Sequence, residues 1–120
     1  MSLWVVDTCV ILDLVAGSPD QTVAAESVLD RAGAVAVCPV SVVELGPTFP
    51  DGGKLRDFFL DYGIEAHHPF TELDADVGRD AWHRIIRQRR LTGSSRRPIA
   101  DILIGAFAVG RAGVVSRQVV

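Results

Sequence analysis

Residues 99–111 read Ile-Ala-Asp-Ile-Leu-Ile-Gly-Ala-Phe-Ala-Val-Gly-Arg and are apolar nearly all round a helical projection. A helix without a polar face has to be covered by other elements on several sides. The segment therefore predicts a central, buried helix and a layered fold around it. Gly105, Ala106, Ala108 and Gly110 allow neighbours to approach closely, and Pro98 suits the start. A single acid, Asp101, stands near the amino end of this apolar stretch.

The remaining chain alternates between strand-like and helix-like patterns. Leu3-Trp4-Val5-Val6 is a short apolar run that stops on Asp7, and Ala34–Cys38, Gly63–Ala66 and Gly113–Ser116 are similar runs. Between them, Val10–Val15 is closed by Gly17 as a short helix would be. Ser18-Pro19-Asp20-Gln21 has a cap, a first-turn proline and the glutamine of a capping box. Val23, Ala24, Val28 and Leu29 give that helix its apolar face, and Gly33 ends it. Pro39–Gly46 forms a short helix carrying Glu44, and Pro47, Pro50, Gly52 and Gly53 mark a loop. Lys54–Tyr62 is another helix. Thr71 caps a longer one, with Leu73, Val77, Ala81 and Ile85 four residues apart and Trp82 and Ile86 widening the stripe. Strands alternating with helices predict βα units around a parallel sheet. The fold class is α/β: a three-layer α/β/α domain with a central, mainly parallel sheet of four to five strands. Without repeats or a linker, residues 1–120 read as a single domain.

The formal charge of −3 argues against avid nonspecific binding of nucleic acid. Residues 84–97 nevertheless hold six of the twelve basic residues, Arg84, Arg87, Arg89, Arg90, Arg96 and Arg97, and no acid. Such a stripe serves a polyanion or is simply a solvated helix end, and the sequence leaves both open. Cys9 and Cys38 lack metal-type spacing and read as buried free thiols of a cytoplasmic protein. No apolar run is long enough to span a membrane, and no secretory signal is evident.

Three acids lie where burial should discourage them: Asp7 at a strand end, Glu44 just past the second strand, and Asp101 in the apolar helix. Carboxylates are rarely buried without compensation. If a parallel sheet gathers them at its carboxyl edge, a divalent cation would relieve their repulsion, and all-oxygen ligands favour Mg²⁺ or Mn²⁺. Each also has a structural reading. Asp7 can cap the following helix, Ser41-x-x-Glu44 is itself a capping box, and Asp101 is favoured by a helix dipole. Asp13, Asp74, Asp76 and Asp80 read as surface acids. The adjacent His67 and His68 are expected to diverge, which argues against a shared metal.

Val5-Val6-Asp7-Thr8, Ser41-Val42-Val43-Glu44-Leu45 and Ile99-Ala100-Asp101-Ile102-Leu103-Ile104-Gly105-Ala106 together resemble the PIN domain family, most closely VapC-type toxin ribonucleases. The resemblance covers nearly the whole chain. It implies an endoribonuclease in which Asp7, Glu44 and Asp101 hold Mg²⁺ or Mn²⁺, with Thr8 and Ser116 near the metal. It also implies an RNA substrate, a VapB-like antitoxin and a homodimer, the arginine stripe meeting either RNA phosphates or antitoxin carboxylates. The family usually carries a further acid and a fifth strand beyond the fourth, whereas Ser116-Arg117-Gln118-Val119-Val120 closes this sequence. That departure implies either a longer gene product or a shortened member, and keeps a binding or regulatory PIN-like protein as the alternative. Phosphotransfer through an aspartyl phosphate fits poorly. Cys9 stands where a haloacid-dehalogenase-like phosphatase needs a second Asp, and the sole lysine, Lys54, is misplaced for a receiver domain.

Overall fold

The computed structural model describes residues 3–92, 99–111 and 114–115, with side chains for 3–88 and 99–111. In chain order the elements are β1 (Trp4–Val6), α1 (Thr8–Ala16), α2 (Pro19–Ala32), β2 (Val35–Val37), α3 (Pro39–Glu44) and α4 (Gly52–Tyr62). They continue with β3 (Ile64–Glu65), α5 (Glu72–Thr92), α6 (Ile99–Val109) and β4 (Val114–Val115). The four strands form one parallel sheet in the order β3-β2-β1-β4. The register sets Val5 opposite Ala36 and Val114, and Ala36 opposite Glu65.

Side-chain alternation along these short strands divides the core in two. Val6, Val35, Val37 and Ile64 face a cluster with Val10, Ile11, Leu14, Ala25, Leu29, Leu55 and Phe59, contributed by α1, α2 and α4. Val5 and Cys38 face the other cluster with Ile104, Phe107 and Ala108 of α6. Helices thus cover both faces, as the alternating pattern predicts. Burial pushes the Cys38 thiol up, so it stays protonated and inert. Neither cysteine is in a disulfide.

Local chemistry explains the helix boundaries. Ser18 and Gln21 form the complete capping box at the start of α2, with Pro19 in the first turn. Gly63 ends α4 at φ +66°, a left-handed conformation that a β-carbon would strain. One expected boundary moves: Gly52 and Gly53 belong to α4 rather than to the preceding loop. The Asp51 carboxylate accepts from the Gly53 N–H at 2.8 Å and begins the helix there despite two poor helix formers.

The helices α5 and α6 form an antiparallel hairpin. Asp74, near the start of α5, meets Arg111 just beyond α6. Gly78 comes opposite Leu103 and Ala106, and Arg84 and Ile85 share a groove with Asp101 and Ile102. One side of α6 is buried against the sheet and another meets α5. The third is open, leaving Ile99 and Val109 exposed. The all-round burial expected of this helix is therefore incomplete at Ile99 and Val109, although α5, β1 and α3 all pack on it.

Asp13 and Asp74 are buried, at 6% and 5% exposure, and so are not the surface acids that their helical positions suggested. For Asp74 the compensation is visible. The Thr71 hydroxyl accepts from the Asp74 N–H, and the Asp74 carboxylate accepts from the Thr71 N–H, forming a capping box with aspartate in the glutamate position. The Arg111 guanidinium adds bonds of 3.1 and 3.2 Å. Burial alone would push this carboxyl up, but the Thr71 N–H, Arg111 and the Thr71 hydroxyl together outweigh it and hold it below the usual range.

Candidate active site at the carboxyl edge of β1

The strand order decides where a ligand can reach the sheet. From β1 the chain proceeds to β2 and β3 on one side, while β4 pairs on the other. The helix that leaves β1 covers one face, and α6, which leads into β4, covers the opposite face. A crevice at the carboxyl ends of such strands is the usual ligand position in open α/β sheets. Asp7 is the first residue past β1 and lies at that switch point.

Asp7 occupies the N-cap position of α1 with extended backbone, but its side chain makes no capping hydrogen bond. The capping reading therefore accounts for its place and not for its carboxylate. It is half-buried. The next residue, Thr8, is buried, with its Oγ1 2.7 Å from Glu44 Oε1 and 2.8 Å from Ser41 Oγ. Thr8 has one hydroxyl proton, and an ionised carboxylate can only accept. That proton goes to Glu44, and Ser41 donates to the Thr8 oxygen. The relay Ser41–Thr8–Glu44 ties the end of α3 to the residue beside Asp7 across 36 positions of sequence.

This arrangement overturns the capping-box reading of Ser41 and Glu44. The N-cap of α3 is Cys38, with Pro39 in the first turn, so Ser41 is the third helical residue and Glu44 the last. Ser41 is fully buried and turned towards Thr8. The Pro39 signal for an earlier helix start was present in the sequence, but the Ser-x-x-Glu pattern competed with it.

Asp101 lies in the first turn of α6 and is exposed. It lines a groove of about 460 Å³ between α5 and α6, shared with Val77, Arg84 and Ile85. The helix itself packs on β1 and α3. Glu44 is joined by a hydrogen bond to Thr8, the residue after Asp7, whereas Asp101 faces the groove beside α5. The three carboxylates do not form a tight trio; among the described residues the trio gathered within 4.8 Å is Glu65, His67 and His68. Sequence reasoning expected those two histidines to diverge. Their rings instead stack with centroids 4.4 Å apart.

Arg84 and Arg87 are exposed on α5. The side chains of Arg89 and Arg90 lie outside the described residues, as do Arg96, Arg97 and Ser116. No helix among the described residues is long and apolar enough to cross a membrane.

The donor chemistry suits a hard cation. Asp7 offers a carboxylate without a capping bond, and Glu44 has one oxygen held by Thr8. Mg²⁺ commonly takes only one or two carboxylates directly and keeps several waters, so a loose set of acids is compatible with it.

A search of curated proteins finds no match, and neither does a search of solved structures. The family model of the PIN domain matches residues 4–115, from the first strand to the last. The chain belongs to the PIN domain family, a nuclease-type fold whose members are generally metal-dependent.

Proposed function

We propose that the protein is an endoribonuclease that hydrolyses RNA phosphodiesters with Mg²⁺ or Mn²⁺ held by Asp7, Glu44 and Asp101, and that it serves as the toxin of a VapBC-like toxin–antitoxin pair. The observation that carries the reading is the hydrogen bond between Glu44 and Thr8, the residue next to Asp7, whose carboxylate makes no capping bond. When bound, the ion would supply an activated water and stabilise charge on the phosphate. The chain's own residues prepare the place. Thr8 holds one Glu44 oxygen at 2.7 Å, and Ser41 fixes the Thr8 hydroxyl. Arg84, in the same groove as Asp101, is placed to meet a phosphate beside that acid. Arg87 extends the positive surface along α5. The same arginines suit the carboxylates of a VapB-like antitoxin, and the exposed apolar residues of the helices suit a homodimer.

The test is cleavage of a panel of structured RNAs by the metal-stripped protein. Cleavage should appear with Mg²⁺ or Mn²⁺ and disappear with a chelator. Cleavage that survives chelation contradicts the metal reading; no cleavage with either ion favours a PIN-like binding protein.

Thr8→Val separates the relay from the ligands themselves. Valine keeps the shape and removes the proton that holds Glu44. Partners that orient metal ligands are worth roughly 10–100-fold in affinity or activity. A fall of that size in cleavage rate is expected, partly recovered at high Mn²⁺. A rate within twofold of wild type would show that Glu44 needs no positioning.

A further inference from the structure

The geometry points to a second metal site, chemically unlike the first, at the end of β3. Glu65 is the last residue of that strand, and His67 and His68 follow in the loop to α5. We propose that these three bind a transition-metal ion of the Zn²⁺ class. The site lies two strands from β1, about 10 Å at the usual strand spacing, and is independent of the proposed nuclease reaction.

One Glu65 oxygen faces both rings. Its Oε1 is 3.1 Å from His68 Nε2 and 3.8 Å from His67 Nε2. A tetrahedral ion with ligands at about 2.0–2.1 Å has ligand–ligand edges of about 3.3–3.4 Å. The two observed separations bracket that edge, and all three donor atoms lie within 4.8 Å of one another. A hydrogen bond from His68 to Glu65 explains the shorter separation. It does not explain His67, which is too far from Glu65 to bond yet lies stacked on its neighbour with its Nε2 towards the same carboxylate.

The donor set decides the class of ion. Two imidazoles and one carboxylate suit Zn²⁺, Ni²⁺ or Co²⁺, whereas Mg²⁺ prefers oxygen throughout. Three protein ligands leave a coordination position open. Glu65 and His67 also line a groove of about 510 Å³ with Phe59, Leu60, Ile64 and Arg56, so water or a small ligand can reach the ion there. Binding would clamp the end of β3 to the segment leading to Phe70, which stacks on Phe107, and to the Thr71 cap of α5. Zn²⁺ should therefore raise the unfolding temperature as well as bind.

The experiment titrates Zn²⁺ into the metal-stripped full chain by calorimetry, with thermal unfolding alongside. One ion per chain is expected at this site. His67→Ala and His68→Ala should each weaken it by at least the roughly 10–100-fold that loss of even an outer partner costs, and remove the stabilisation. Asp7→Asn removes any ion held at the carboxyl edge of β1 and should leave the His67- and His68-dependent part of both signals unchanged. His67 is 74% exposed, so its variant folds even if His68→Ala does not. Co²⁺ should give the visible absorption of a low-symmetry site with nitrogen ligands. Binding equal in wild type and His67→Ala, or lost in Asp7→Asn and retained in both histidine variants, would overturn the assignment. So would the absence of Zn²⁺ binding in the wild type.

Discussion

Asp7→Asn is expected to abolish most cleavage while leaving the fold intact. A metal ion contributes several kcal/mol to stabilising charge in the transition state, and each 1.36 kcal/mol is tenfold in rate. Losing the ligand that anchors it should therefore cost about 10²–10³-fold. Asparagine is as good an N-cap as aspartate, and Asp7 makes no capping bond that the change could break. Stability should shift by no more than about 0.5 kcal/mol, the range for substitutions that touch no packing or network. Cleavage rates and urea midpoints measured on the same preparations check both halves. A large fall in stability would return Asp7 to a structural role, and an undiminished rate would remove it from the chemistry.

Arg111→Ala should produce the largest loss of stability. Its guanidinium donates to both Asp74 oxygens, to the Phe107 carbonyl at 2.6 Å and to the Pro69 carbonyl at 3.1 Å. It also lies 3.8 Å over the Phe107 ring. Removing one partner of a buried ion pair costs about 3–5 kcal/mol; Asp74 keeps the Thr71 N–H, so the lower part of that range is expected. That is a large fraction of the 5–15 kcal/mol typical of whole domains. Arg111→Lys should fall between, keeping the charge and losing the planar fork. The direction with pH follows from the lowered Asp74 carboxyl. Its contribution is present above the ordinary carboxylate value, 3.8 for aspartate, and is lost as pH falls through the lower folded value. Wild-type stability should therefore decline below about pH 4, and Arg111→Ala should show a shallower decline. Urea unfolding across that range tests it; parallel curves would mean that Arg111 does not set the Asp74 ionisation.

Local patterns made much of the fold legible. Ser18-Pro19-Asp20-Gln21 specifies the start of α2 by chemistry contained within four residues, and Gly33 and Gly63 mark helix ends through backbone conformations that other residues resist. Asp7 and Asp101 are candidates in the sequence because an acid interrupts an apolar run. Long-range partnerships were not legible. Asp74 resembles any first-turn acid until Arg111, 37 residues later, folds back onto it. Ser41 and Glu44 satisfy a local rule, and only the arrival of Thr8 at the start of α1 shows that their side chains serve another purpose. His67 and His68 illustrate the same limit: adjacent side chains on a loop are expected to point apart, yet these rings stack beside Glu65, the residue that ends β3.

These cases share a cause. Caps and turns are settled by residues within a few positions, whereas compensation of a buried polar group can come from anywhere in the chain. Thr8, Ser41 and Glu44 meet in this way past the carboxyl end of β1.

Whether the carboxyl edge past β1 holds the divalent ion can be read from paramagnetic broadening of backbone amide signals by substoichiometric Mn²⁺. Signals around Asp7–Thr8, Ser41–Glu44 and Asp101 should be lost selectively and should recover in Asp7→Asn. Broadening confined to Glu65–His68, or spread over the surface without regard to these acids, would contradict that placement.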